Sequence, residues 1–250
     1  MKTALITGAT SGIGHQLVLD HLNEGWRVIA CGRNTAALAA LKQGERGEHI
    51  VAAQFDVTDA DQARAVLTEV LEGTLGGSAL GRVILNAGTC EYMDVDAWDT
   101  TQFARVIEAN LLGTSHCLAG VLPHLKRGSE LVLVDSLARL VPFTRAEAYG
   151  ASKAAMHYLA RSLEVDLGDR GVRVMAVSPG FVDTPLTRRN TFGMPALMSV
   201  EDASAAIMKG MAAGKRTIRF PFRLSGPLTL MSWLSEGLQV RMCRWLKKNQ

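Results

Sequence analysis

The chain has 250 residues, 48% of them hydrophobic and 20% charged, with a formal net charge of +3. That balance excludes a disordered or fibrous chain, and the length suffices to bury a core without disulfides or metals. The longest uncharged stretches, 3–19 and 109–125, are too short and too polar for a membrane span, and Gly8 comes too early for the apolar core of a secretory leader.

In chain order, apolar runs at 3–7, 27–31, 49–55, 82–86, 130–135 and 173–177 read as strands. Most are continuous rather than alternating, as expected of strands covered on both faces. Helical spacing occupies 13–25, 61–71, 101–122 and 147–167. Strand-helix repetition of this kind predicts an α/β fold, a doubly wound parallel sheet with helices on both faces. No linker, charge block or repeat divides residues 1–250, so they read as a single domain. After Pro179 the pattern loosens, and Pro185, Gly193 and Pro195 mark 185–250 as site-capping loops followed by a C-terminal helical extension. The extension is read at 231–245, with an apolar stripe of Met231, Leu234, Leu238, Met242 and Trp245. From Lys215 onward there are eight basic residues and one acid, a local charge of about +7 against about −4 for the rest.

Cys31, Cys90, Cys117 and Cys243 show no paired spacing, and the six histidines form no ligand pair, so no metal site is expected. Scattered reduced thiols fit a cytoplasmic protein.

Residues 7–14, Thr-Gly-Ala-Thr-Ser-Gly-Ile-Gly, join the first strand to the first helix. Gly8, Gly12 and Gly14 permit a tight turn and let a pyrophosphate approach the helix N-terminal amides, around Thr10, Ser11 and Ile13. The second strand ends in Cys31-Gly32-Arg33, with no acid for a ribose 2′-hydroxyl and a guanidinium suited to a 2′-phosphate. The cofactor is therefore read as NADP(H) in preference to NAD(H), with Arg33 as a plain solvated charge the alternative.

Tyr149 and Lys153 lie four apart on one helical face, and Ser136 follows the fifth strand, where parallel sheets bind ligands. A phenol near pKa 10 is a poor acid or base at neutrality. A neighbouring ammonium is expected to lower it, with Ser136 bonding the reacting oxygen.

With these motifs in order, the chain resembles the short-chain dehydrogenase/reductase family, from the glycine turn to Thr184. The resemblance implies a Rossmann-type domain catalysing hydride transfer between a nicotinamide cofactor, read above as NADP(H), and a carbonyl or alcohol. The Met- and aromatic-containing region after Thr184 leans toward a small or lipophilic aldehyde or ketone. It implies that Asp56 and Val57 contact the adenine, and that Asn86, Ala87 and Gly88 line the cofactor. Asn110 would hold a water in a proton relay through Lys153, which also binds the ribose. Ser136 would orient the substrate, with Tyr149 as acid or base and Pro179, Gly180, Val182 and Thr184 beside the nicotinamide. A homo-oligomer, dimer or tetramer, is expected. Bland readings stay open: Asp56 as a helix cap, Asn110 as a satisfied buried amide, Pro179-Gly180 as an ordinary turn.

The sequence departs from the family at Leu85, where an Asn is common, and at Arg139, where a Gly is common. Arg139 reads either as a substrate-recognising cation or as a solvent-facing loop residue, and Cys90 either as a site neighbour or as an inert small side chain. The basic C-terminal segment is read as a lid, a dimer contact or a peripheral membrane contact. Nucleic-acid binding is not expected, since no recognised motif accompanies the basic residues. The alternative to an enzyme is a non-catalytic NADP(H)-binding sensor or partner-binding protein.

Overall fold

The computed structural model describes residues 1–248. One seven-stranded, all-parallel sheet has the order β3-β2-β1-β4-β5-β6-β7. The strands are β1 Thr3–Thr7, β2 Arg27–Gly32, β3 Ile50–Gln54, β4 Arg82–Leu85, β5 Glu130–Val134, β6 Arg173–Pro179 and β7 Thr217–Phe220. The helices are α1 Gly12–Asn23, α2 Thr35–Gln43, α3 Ala60–Leu75, α4 Thr100–Ile107, α5 Gly113–Val121, α6 Glu147–Gly168, α7 Val200–Ala212, α8 Phe222–Ser232 and α9 Glu236–Lys248. A π-helical turn, Glu108–Leu112, joins α4 to α5.

Successive strand residues point to opposite faces, and here both faces are covered. Leu5, Leu131 and Leu133 pack with Leu67 and Leu71 of α3, Val121 of α5 and Met156 of α6. Ile6, Val132 and Val134 pack on the other side with Leu17 and Val18 of α1 and with Ile207 and Met211 of α7. This double burial is why the strands read as unbroken apolar runs. Helices begin where side chains can hold orphan amides: Asn34 accepts from Ala37 N, Asp59 from Gln62 N and Ser199 from Asp202 N.

Differences from the expectation at the sheet edge and at the C-terminus bear on the fold. The strand β7 escaped the strand reading because it is a short edge strand, buried at Ile218 and Phe220 and polar at Thr217 and Arg219. The helix read across 231–245 is broken at Trp233–Ser235. One unbroken helix would separate Leu228 from Cys243 by about 22 Å, yet both join Leu137 and Val141 in one cluster. The turn lets the chain fold back, and Gln239 Nε2 donates to the freed carbonyls of Ser232 and Leu234 at 3.3 and 2.9 Å.

The strand order reverses between β1 and β4. Their diverging connections open a crevice at the strands' C-terminal ends.

Candidate active site

The turn after β1 is closed by its neighbours. Gly8 has φ +67°, and a Cβ there would lie 2.8 Å from Asn86 Nδ2. A Cβ on Gly14 would collide with the Gly8 carbonyl oxygen and approach Asn86 Nδ2 to 2.7 Å. Thr7 Oγ1 accepts from the Asn86 and Ala87 amides, both at 3.0 Å, and Asn86 Nδ2 donates to Thr7 O at 3.2 Å. Ser11 caps α1 in extended conformation without committing its hydroxyl to the helix. The first amides of α1 thus lack side-chain partners, and the helix dipole favours an anion there. Thr10 packs against Gly32, and Gly12 against Thr184.

Arg33, Asp56 and Val57 stand apart from the rest, where β2 and β3 end. Arg33 is 75% exposed and pairs with Asp56, Nη1 to Oδ2 at 3.1 Å. Against the effect of burial, bonds from Thr58 N and Oγ1 and the Arg33 guanidinium hold the Asp56 carboxyl below its ordinary range. The cap of α3 is Asp59, not Asp56. The Val57 carbonyl lies 2.9 Å from His116 Nδ1.

The remaining predicted residues converge. Ile13, Asn86, Gly88, Ser136, Tyr149, Lys153, Pro179, Gly180, Val182 and Thr184 line one cleft of about 110 Å³. A larger hollow of about 310 Å³ opens between α1 and α2, beside His15, Leu22 and Leu41, but no predicted site residue lines it.

Tyr149 and Lys153 occupy the first turns of α6, and Ser136 follows β5. The Ser136 hydroxyl accepts from Ala138 N at 3.1 Å and bonds the Tyr149 phenol. Lys153 Nζ donates to Val134 O at 3.0 Å and lies 5.8 Å from the Tyr149 ring centroid. Burial lowers the Lys153 pKa to about 8, with Asp135 and Cys90 opposing the shift. Tyr149 departs from the expectation. Burial first, then the Cys90 and Asp135 charges, push its phenol above the ordinary value, and the Ser136 bond offsets only part of this. Desolvation dominates, so the group is held as the neutral phenol.

Asn110 lies fully buried beneath Gly88, in the π-helical turn. Its Oδ1 accepts from Thr89 N at 2.7 Å, and its Nδ2 donates to Thr89 O and Ser152 Oγ, both at 2.9 Å. The carboxamide braces the loop after β4 against α6.

Several neighbours were not anticipated. Asp135, wholly buried, accepts from Arg139 Nε at 3.0 Å and bonds His157 Nδ1 at 2.7 Å through Oδ2. Arg139 is therefore neither solvent-facing nor free to meet a substrate acid. Thr89, Leu186 and Thr187 also line the cleft. Cys90 does approach the site, with its thiol pushed up to about 11 by burial. Tyr92 packs edge-on against Phe192, which meets Phe181, and donates to Asn190 Oδ1 at 3.0 Å. These are loop residues without periodicity. The one signal that could have found Tyr92 is its place just beyond Asn86-Ala87-Gly88. Among the described residues, no group of three or more His, Cys, Asp or Glu side chains is placed to hold a metal.

A family profile described as short chain dehydrogenase matches residues 2–193. An uncharacterized oxidoreductase of Myxococcus xanthus (strain DK1622) is 37% identical over 251 residues, covering 98% of each chain. Among solved structures, a short chain dehydrogenase/reductase from Burkholderia phymatum in complex with NAD superposes with TM-score 0.82 at 20% identity, covering 92% of each chain. The closed form of serine dehydrogenase complexed with NADP+ superposes with TM-score 0.75 at 25% identity, covering 89% of this chain and 96% of that one.

Proposed function

The chain belongs to the short-chain dehydrogenase/reductase family of oxidoreductases, and from that premise we propose that it is an NADP(H)-dependent enzyme interconverting a carbonyl compound and an alcohol. One observation carries this reading: Ser136, Tyr149 and Lys153 line the same cleft as Ile13, which follows the glycine turn, and Asn86, which braces it.

The cradle suits a dinucleotide, since side chains at Gly8 and Gly14 would fill it. In this reading Gly8, Thr10, Ser11, Gly12, Ile13 and Gly14 hold the pyrophosphate, and Asp56 and Val57 meet the adenine. Arg33 swings from Asp56 to a 2′-phosphate, a bidentate contact that favours NADP(H) over NAD(H). Asn86, Ala87 and Gly88 flank the cofactor, Lys153 and Tyr149 bind the ribose, and Pro179, Gly180, Val182 and Thr184 surround the nicotinamide. Bound nicotinamide supplies the hydride.

The protein's part is the proton. Ser136 Oγ accepts from Ala138 N and bonds the Tyr149 phenol, which holds the two hydroxyls side by side where a substrate oxygen can bond both. Tyr149, held neutral by burial, carries the proton a reduction needs, but burial alone makes the phenol a weaker acid, so its transfer depends on a nearby cation to stabilise the phenolate. Lys153 is mostly charged at neutral pH and stabilises the negative charge left on the phenol oxygen. Asn110, adjoining Lys153 across Gly88, keeps that side of the relay in place. A positioned acid of this kind is worth about 10²–10⁴ in rate. The aromatic cluster of Tyr92, Phe181 and Phe192, on the loops that follow Gly88 and Gly180, supports a lipophilic aldehyde or ketone.

Residues 1–250 act as one dinucleotide-binding and catalytic domain. The exposed Tyr158 and Val165 on α6 support a homo-oligomeric reading, dimer or tetramer. Four unpaired cysteines support a reducing, cytoplasmic setting.

The test titrates NADPH and NADH into wild type and Arg33→Ala, then follows NADPH oxidation against apolar aldehydes and ketones. We expect NADPH to bind tighter, that preference to vanish in Arg33→Ala, and Tyr149→Phe to bind nucleotide but lose turnover. Failure to bind either nucleotide overturns the reading, and unchanged turnover in Tyr149→Phe overturns the mechanism.

A further inference from the structure

We propose that the α8–α9 pair is a docking surface for an anionic lipid bilayer, which the protein meets peripherally. The proposal rests on this surface alone and stands whether or not the reaction above is confirmed.

The inner face of the pair is already occupied. Leu228 and Cys243 pack on Leu137 and Val141, with Leu224 and Met231 beside them. The segment is therefore anchored next to the loop that leaves Ser136, and what it turns outward is surplus to the core.

That outward surface is apolar to an unusual degree. On α8, Phe222 is 84% exposed and Trp233, just past its end, 76%. Leu230 is also exposed, and the spacing 222, 226, 230, 233 places these residues on one helical face, interrupted only by Gly226. On α9, Cys243 marks the packed side, while Leu238, Met242 and Trp245 form an exposed stripe at i, i+4 and i+7. Trp233 and Leu234, in the turn between the two helices, are exposed as well. Large apolar groups in such number mark an interaction surface.

The charge selects the occupant. Arg223, Arg241, Arg244, Lys247 and Lys248 are exposed on the same two helices, against the single acid Glu236. On α9, Arg241, Arg244 and Lys248 follow the apolar stripe around the helix, so their stems can lie along an interface with the cations at the phosphates. Tryptophan suits the same depth. A second copy of this chain meeting the patch through a two-fold axis would bring one net-positive surface against another, whereas anionic lipid complements it. Among the described residues no helix is long and apolar enough to cross a membrane, so the contact is in-plane.

The experiment is vesicle flotation of the full chain. Probes are vesicles of phosphatidylcholine alone and of phosphatidylcholine with about 30% phosphatidylglycerol, a composition with a strongly negative surface. Wild type is expected to float with the anionic vesicles, to remain with the protein fraction for the neutral ones, and to release as salt shortens the screening length. Arg241→Glu/Arg244→Glu is expected to lower partitioning about tenfold or more, and Leu230→Ser/Trp233→Ser to lower it comparably. All four positions are exposed, and unchanged melting temperatures verify folding. Should a variant fail to fold, the lipid-composition and salt series on wild type decide alone. The proposal is overturned by absent binding, by equal binding to neutral vesicles, or by folded variants that bind like wild type. It is also overturned if sizing shows a self-associated protein that Leu230→Ser/Trp233→Ser makes monomeric while vesicles leave wild type unbound.

Discussion

His21 offers a quantitative test of the packing at the N-terminal ends of the strands. It is fully buried on α1, its Nδ1 lies 2.6 Å from Leu17 O, and its Nε2 lies 2.9 Å from Arg82 Nη1. A guanidinium has only protons to give, so Nε2 accepts and Nδ1 carries the hydrogen. A second proton would have to displace Arg82, which is held by Glu130 at 2.7 Å. Burial above all lowers the His21 pKa from 6.5 to about 4, and Arg82 adds to this against the opposing Leu17 bond and Asp20 charge. The unfolded chain therefore binds a proton below pH 6.5 that the folded chain refuses until about pH 4. Stability attributable to His21 is intact above pH 6.5, falls as pH drops through that window, and is lost by about 3 kcal/mol at its lower end. The perturbation is His21→Gln, which cannot titrate. Urea unfolding of both proteins from neutral pH to pH 5 subtracts the carboxylates they share. The wild type should lose about 2 kcal/mol more than the variant by pH 5. Parallel curves would refute the reasoning, because His21 would then titrate alike in both states.

Asp135→Asn strands the buried Arg139 guanidinium and removes the anionic partner of His157, and should cost about 3 kcal/mol in urea unfolding; a loss within experimental error would show that the cluster is already neutral. Gly14→Ala drives a methyl into the Gly8 carbonyl and should destabilise by about 1–3 kcal/mol while weakening NADPH binding, as measured by thermal unfolding and titration. Lys153 sits near pKa 8 with its charged form below that value, and Tyr149 titrates higher. The kcat/KM for carbonyl reduction should then be level at neutral pH and fall above about 8; a rate that rises through pH 8 contradicts the role assigned to the ammonium.

Much of the architecture was legible because local chemistry and global burial agree in its central strands. Leu5 and Ile6 face opposite layers yet are equally buried, and no other common arrangement asks for such runs. Two helices were legible in principle and went unread: α2 has its cap in Asn34, and α7 has Ser199 followed three residues later by Asp202. The edge strand β7 was harder, since four residues with one buried face carry little periodicity. In the site, Ser136, Tyr149, Lys153 and the positions at 179–184 singled out in the sequence line one cleft with Asn86 and Gly88. Arg33 and Asp56 stand apart from it, and Tyr92, Asp135 and Phe192 were not singled out. Contacts between loops leave no repeat in the sequence.

The sequence by itself determined the order of strands and helices, the glycine turn that no side chain can occupy, and the presence of Ser136, Tyr149 and Lys153 in the segments that meet at the sheet's C-terminal edge. Tertiary structure alone decided what those groups are in the folded protein. The Tyr149 phenol is raised rather than lowered, because desolvation depends on everything packed around it and not on the lysine four residues away. Arg139 turns inward because Asp135, four residues before it, is buried and is met from α6 by His157, which is adjacent only in space. The C-terminal helix breaks because Leu228 and Cys243 must reach the same apolar cluster. Periodicity and spacing act along the chain, whereas burial, charge pairing and closure act across it.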